Sequence, residues 1–273
     1  MAFLNSFSQK NKMIYLWPGK VPGELKEKHD PVYAQSNNNI LRIAEETNPE
    51  MEVFMPEKVV ADCPAIIVCP GGGYSILAYD LEGTEIASWL NRLGYVVFIV
   101  QYRVPDKEEG ALQDLQRAIR CVRANVQKWH INPDKIGIIG FSAGGSLCAR
   151  ASTLFNEKTY TPVDKTDNLS CKPSFTMLIY PGSLDKGSNL SLTPELKLNN
   201  EEPPFFIFQT ADDPHGNSSL VMAKALRDAK QSVELHLLSF GGHGYGVRIG
   251  TNAAKTWPLL AEKWLAEIAP VNK

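Results

Sequence analysis

The sequence predicts an α/β architecture: a mostly parallel sheet with helices covering both faces. Two observations carry this expectation. Short apolar runs of strand length recur along the chain, and segments of helix length separate them. Two of the runs, Ala65 to Cys69 (AIIVC) and Tyr95 to Val100 (YVVFIV), are apolar at successive positions, as strands buried on both faces should be.

The elements follow in order. Met51 to Met55 (MEVFM) reads as a strand closed by Pro56, and Ala65 to Cys69 as a strand ending in Pro70 and three glycines. A helix is expected around Glu82 to Leu93, stopped by Gly94, before the strand Tyr95 to Val100. Leu112, Leu115, Ile119, Val122, Val126 and Trp129 are spaced 3, 4, 3, 4 and 3, which puts them on one helix face turned to the core. Asn132-Pro133-Asp134 reads as a turn into the strand Ile136 to Gly140, and a small-residue helix follows from Ala143 to about Leu154. Phe175 to Tyr180, Phe205 to Gln209 and Val233 to Leu238 are further strands; Ser218 to Lys230 and Asn252 to Ile268 are further helices. There is no internal repeat. Residues 183–204, rich in Ser, Asn and Pro, read as an irregular surface excursion near the sheet's C-terminal edge, and residues 1–273 as a single domain.

Composition narrows the function. The chain has 273 residues, 44% hydrophobic and 21% charged, and its mean hydropathy is -0.19. A chain of this size buries roughly three quarters of its unfolded surface and needs no metal or disulfide to hold it together. Lys plus Arg (28) nearly balance Asp plus Glu (30), so the surface has no general attraction for nucleic acid or anionic membrane. No apolar stretch approaches the roughly 18 residues of a spanning helix. Met1 to Lys10 has no basic region followed by an apolar core, so no signal peptide is expected. The five cysteines (Cys63, Cys69, Cys121, Cys148, Cys171) form no C-x-x-C pair and read as reduced, mostly buried thiols of a cytoplasmic protein. A catalytic cysteine is the sharper and less favoured reading.

Gly140-Phe141-Ser142-Ala143-Gly144 is a G-x-S-x-G sequence between an expected strand and an expected helix, the setting a nucleophile elbow needs. The plainer alternative is a glycine-rich turn. A serine hydroxyl becomes a useful nucleophile only when a base takes its proton. Of the five histidines, His236 lies inside a strand, His130 ends a helix and His29 sits in a polar N-terminal loop. His215, beside two aspartates, reads as a turn residue; as a metal ligand it lacks a second His or Cys. His243 lies in Gly241-Gly242-His243-Gly244-Tyr245, a flexible loop after the last strand, and is the preferred base. The orienting carboxylate is expected in Asp212-Asp213-Pro214, directly after a strand. Asp213 is preferred over Asp212, with Asp185 a distant third; a solvated turn is the plainer reading. The order Ser142, Asp213, His243 suits this type of sheet.

Pro70-Gly71-Gly72-Gly73-Tyr74 follows another strand, and its backbone N–H groups can close on a developing oxyanion. Gly72 and Gly73, with the amide of Ala143, are the candidate donors, and Tyr74 is a candidate substrate contact. A phosphate-cradling loop is disfavoured because no Gly-Lys-Ser/Thr follows.

Together these residues resemble the α/β-hydrolase superfamily. Within it the chain is similar to the small carbohydrate esterases of the acetyl xylan esterase and feruloyl-esterase-like branch. The matching stretches are Leu16-Trp17-Pro18-Gly19 with Pro22-Gly23, Pro70 to Tyr74, Gly140 to Gly145, Pro203 to Phe206, Thr210 to Pro214 and Gly241 to Gly246. The LWPG opening and the TADDP block are more diagnostic than G-x-S-x-G. Two departures stand out. Pro70 replaces the histidine many related lipases carry before the glycines, and His215-Gly216-Asn217 replaces an apolar stretch after Asp213-Pro214.

The resemblance implies an α/β-hydrolase fold of about eight strands, with a catalytic triad and an oxyanion hole. It implies a serine carboxylester hydrolase that needs no cofactor and removes short acyl groups, acetyl foremost, from a sugar or oligosaccharide. A glycosidase mechanism would need two carboxyls placed about a sugar bond, and no such pair stands out. Imported acetylated oligosaccharides suit the expected cytoplasmic location better than polymeric xylan. Amide or peptide hydrolysis on the same triad, or an inactive hydrolase fold serving as a binding module, are the alternatives. Oligomeric state, acyl length and lid motion are not legible.

Overall fold

The computed structural model describes residues 12–36 and 38–271. Met1 to Lys10 lie outside the described residues. The chain opens with β1 (Lys12–Tyr15), β2 (Val32–Gln35), β3 (Leu41–Glu45), β4 (Glu50–Phe54), β5 (Cys63–Cys69) and the two-residue β6 (Leu77–Ala78). Next come α1 (Glu85–Arg92), β7 (Val96–Gln101), α2 (Glu108–Ala124), β8 (Ile131–Phe141) and α3 (Ala143–Thr153). The chain closes with β9 (Thr176–Ile179), β10 (Phe205–Thr210), α4 (Gly216–Asp228), β11 (Val233–Leu238) and α5 (Asn252–Ile268).

Eight strands form the main sheet in the order β1-β4-β7-β5-β8-β9-β10-β11. The pairings β1/β4 and β4/β7 are antiparallel, and every other pairing from β7 to β11 is parallel. All residues of β5, β7, β9 and β10 are buried, which requires cover on both sides of the sheet. The expected mostly parallel, eight-stranded α/β-hydrolase sheet is therefore the one observed.

Local details differ from the sequence reading. Asn132 does form a turn, accepting from the amide of Asp134 at 2.9 Å, but the turn lies inside β8. Ile131 already pairs with Cys63, and the register slips before Ala65 meets Ile136. The helix expected from Glu82 starts instead as a π-turn, Asp80–Thr84, and becomes α-helical at Glu85. The long apolar stripe is split at Asn125, with Val126–Trp129 forming a separate 3-10 turn. A second, antiparallel sheet, β2-β3-β6, has no counterpart in the sequence reading. β2 is exposed throughout and β6 has two residues, so neither leaves an apolar period to read.

The LWPG segment has a packing role. Leu16 and Trp17 are buried, and the Trp17 indole donates to Asp114 at 2.8 Å. Asp114, itself buried, accepts from the backbone and guanidinium of Arg103 at 2.9–3.0 Å. Arg103 also donates to the carbonyls of Pro22 and Gly110, and Arg117 donates to that of Leu16. The N-terminal segment thus meets the polar needs of a buried ion pair, which would be costly if left unpaired. Residues 183–204 hold one 3-10 turn and are pinned by Leu184, which donates to the Ser218 hydroxyl, and by Glu195, 3.2 Å from Arg150.

Two buried carboxyls at the start of β4 and just before it predict a pH effect on stability. Burial pushes Glu46 from the ordinary 4.5 up to about 8, with Glu50 and Asp114 adding repulsion. Burial likewise moves Glu50 to about 7, helped by Asp30 and Glu52. Between pH 4.5 and 8 the native state keeps protons that the unfolded chain has released, so stability falls as pH rises. Melts should be highest near pH 5 and lose on the order of 3 kcal/mol by pH 8. Glu46→Gln should flatten that slope, and a flat wild-type profile would refute the prediction.

Candidate active site

Ser142 sits between the last residue of β8 and the first of α3, with φ 52° and ψ -117°. This is a costly conformation for a residue with a Cβ, of the kind that persists only where the surroundings enforce it. The flanking glycines show how tight those surroundings are. A Cβ at Gly140 would stand 2.0 Å from the carbonyl oxygen of Gly144, and one at Gly144 would stand 2.0 Å from that of Cys69. Ser142 donates its amide to Ile179, and its carbonyl accepts from Gly182, both at 3.1 Å. These bonds hold the serine at the C-terminal end of the sheet.

The histidine loop lies beyond β11. Its Gly241 and Gly242 amides donate to the Asp212 carboxylate at 3.0 Å, and the Thr210 hydroxyl donates to the Gly242 carbonyl at 2.9 Å. These bonds from the end of β10 bring the ring of His243 over the serine, where Nε2 lies 2.7 Å from Ser142 Oγ. His243 Nδ1 is 2.7 Å from Oδ2 of Asp213, whose other oxygen accepts the amide of His215. A carboxylate only accepts, so Nδ1 carries the proton and Nε2 is free to accept from the serine hydroxyl.

The two aspartates are thereby separated in role. Asp213 is buried and faces the imidazole, whereas Asp212 is exposed and clamps the histidine loop. The Gly242 amide, followed by that of Gly241, holds the Asp212 carboxyl below the usual range. Asp185 accepts from Ser218, away from the ring. Of the other histidines, His29 pairs with Glu45 and His236 with Glu234. His215 stands edge-on to His243, ring centroids 5.0 Å apart.

The glycine loop after β5 faces the same turn. Gly71 donates to Glu82 Oε2 at 2.7 Å, so its amide is occupied. Gly72 and Gly73 have φ 134° and 64°, and their amides have no hydrogen-bond partner among the described residues. The amide of Ala143 is likewise unpartnered among them, as expected at the first position of a helix. The three donors selected from the sequence are thus free, while the first glycine is an anchor. Among the described residues no cluster of three or more His, Cys, Asp or Glu could hold a metal ion. Among the same described residues no helix is long and apolar enough to cross a membrane.

Known proteins share this arrangement of chain. A family model described as BD-FAE matches residues 51–179. The acetylxylan esterase of Xylanibacter ruminicola is 30% identical over 232 residues, covering 76% of this chain and 45% of that protein. The acetyl ester-xyloside bifunctional hydrolase from Caldicellulosiruptor lactoaceticus has a crystal structure that matches with TM-score 0.79 and 30% identity, covering 96% of this chain and 97% of that one. The chain belongs to the α/β-hydrolase esterases. An α/β hydrolase from a Medee basin deep-sea metagenome library, at 26% identity and TM-score 0.68, covers 87% of this chain and 98% of its own. The chain spans 45%, 33% and 54% of the lengths of three of the curated relatives it matches.

Two residues of this esterase-family chain reach the site without standing out in the sequence. Glu82, in the π-turn, is buried beneath the glycine loop, and burial pushes its carboxyl upward. Tyr180, at the end of β9, donates to Glu82 Oε1 at 2.8 Å and accepts from the Gly246 amide at 3.0 Å. Its ring packs edge-on against His243 at 5.0 Å and Tyr245 at 4.5 Å. A glutamate in an expected amphipathic helix reads as a solvated face, so no local signal marks it. Tyr74, expected at the substrate rim, is only 6% exposed. Its φ of 58° turns the ring inward against Tyr102, and its carbonyl accepts from Asp106. The phenol is therefore interior, and the loop meets the rim through its glycine backbone.

Proposed function

We propose that this chain is a serine carboxylester hydrolase that removes short acyl groups, acetyl foremost, from a sugar or oligosaccharide. The observation that carries the reading is the unbroken file of two 2.7 Å contacts from Asp213 through His243 to a serine at positive φ. Ser142 attacks the ester carbonyl as His243 Nε2 takes its proton, and Asp213 stabilises the imidazolium that forms. The carbonyl oxygen becomes an oxyanion facing the amides of Gly72, Gly73 and Ala143, each worth about 2.7–4 kcal/mol in related sites. His243 then passes its proton to the leaving alcohol. Water, deprotonated by the same ring, hydrolyses the acyl-enzyme and restores Ser142. The sugar ester is suggested by the relatives, an acetylxylan esterase and an acetyl ester-xyloside hydrolase. The buried Tyr74 belongs in this reading to the support of the oxyanion loop.

The test is a rate profile over p-nitrophenyl esters of increasing acyl length, the amide matching the acetate, and acetylated xylo-oligosaccharides. Acetate should be the best simple ester, with about tenfold or greater loss by hexanoate, and acetate should be released from the oligosaccharides. Faster cleavage of the amide would move the chain to amide hydrolysis. No turnover of any ester, with no burst, would leave an inactive binding fold.

A further inference from the structure

Glu82 is a buried carboxyl that touches the glycine loop directly and the histidine loop through Tyr180. Its Oε2 accepts the Gly71 amide at 2.7 Å, immediately before the two free amides of the glycine loop. Its Oε1 accepts the Tyr180 hydroxyl at 2.8 Å, and the phenol oxygen of Tyr180 in turn accepts the amide of Gly246, three residues beyond His243, at 3.0 Å. One side chain thereby joins the turn that would bind the oxyanion to the loop that carries the base. The fit at the first contact is close. A Cβ on Gly71 would lie 2.7 Å from Glu82 Oε2 and 2.8 Å from Ser142 Cβ. The π-turn that presents Glu82 is a rare helical form, found often at functional sites.

Counting hydrogens fixes what this network requires. Three donors converge: the Gly71 amide, the Tyr180 hydroxyl and the Gly246 amide. The two carboxylate oxygens and the phenol oxygen accept all three. A proton on Glu82 would add a fourth hydrogen with no acceptor in the network, at the cost of a buried unsatisfied group. Burial opposes the charge, so the hydrogen bonds and any nearby cation must sustain it. The titratable groups facing Glu82 are Tyr180, Tyr102 and His243, and of these only His243 becomes a cation in the proposed cycle.

We infer, resting on the esterase reading above, that Glu82 is a positioning residue that holds the glycine and histidine loops in register and, as a carboxylate, supports the imidazolium of His243. Its negative charge adds to that of Asp213 from another direction. Asp213 sets the tautomer; Glu82 fixes the spacing between the proton acceptor and the oxyanion donors. Tyr180 carries the link to the histidine loop.

Glu82→Gln tests this, because the amide keeps the shape but replaces one acceptor with a donor. With p-nitrophenyl acetate, kcat should fall about 100-fold with KM changed less than about threefold. The acid limb of the kcat/KM profile, set by His243, should move to lower pH by about half a pH unit or more, since removing a nearby anion makes the imidazolium harder to form. Tyr180→Phe should lower kcat about tenfold while leaving that limb in place. The double variant should be no slower than Glu82→Gln alone, as expected for parts of one network. A folded Glu82→Gln protein with wild-type kcat, or with reduced kcat and an unmoved acid limb, overturns the inference. If Glu82→Gln does not fold, wild-type kcat in Tyr180→Phe overturns it. Labelling of the wild type by a fluorophosphonate separates the two readings. An unlabelled, inactive wild type removes the esterase reading and this inference together, whereas an active wild type matched by Glu82→Gln removes this inference alone.

Discussion

Replacing Ser142 with alanine is expected to lower p-nitrophenyl acetate turnover by about 10⁴-fold or more and to abolish covalent labelling by a fluorophosphonate. The proposed cycle stores the acyl group on Oγ, and the substitution removes the oxygen placed 2.7 Å from His243 Nε2 to receive it. Stability should change little. Alanine keeps the Cβ, so the strain at φ 52° is the same in both proteins, and the backbone bonds to Ile179 and Gly182 do not involve the hydroxyl. Unchanged melting would therefore show that lost activity is lost chemistry. Persistent labelling at wild-type rate would place the nucleophile elsewhere. Ser146, one turn further along α3, is buried and makes a poor substitute.

Asp213→Asn should cost about 10³–10⁴-fold in kcat, and Asp212→Asn about tenfold or less. The asymmetry follows from what each carboxylate touches. Asp213 accepts from the imidazole, and an amide there either opposes N–H to N–H or forces the tautomer that leaves Nε2 protonated and unable to act as base. Asp212 accepts from backbone amides of the histidine loop and does not touch the ring, and a remaining carbonyl oxygen can still serve those amides in part. Steady-state kinetics on the two variants decide between them. A greater loss in Asp212→Asn would mean that the clamp on the loop, and not the orientation of the ring, limits the reaction.

The elements were legible to different degrees for identifiable reasons. β11 and α5 begin and end where the residue pattern puts them, and β5, β7 and β10 differ by one or two residues. Continuous apolar runs and a strong helical period leave little choice. The second sheet was invisible because its strands are short, polar or exposed, and their pairing is created by neighbours distant in sequence. The interior placement of Tyr74 is not legible locally, because the sign of φ at a residue after three glycines is set by the loop it closes.

Local chemistry determined the strand and helix runs, the tight turn around Ser142, and the placement of Asp212, Asp213 and His243 after strands that end on one side of the sheet. These depend on side-chain period and on glycine at fixed offsets, which are properties of neighbouring residues. Which aspartate meets the ring, which glycine amide is occupied and which two are free, and why a glutamate lies beneath the loop were decided only by tertiary structure. Each depends on groups far apart in the chain that share one buried space, where a hydrogen bond or a charge without a partner is expensive. Packing selects such partners by distance, and no local spacing encodes that distance.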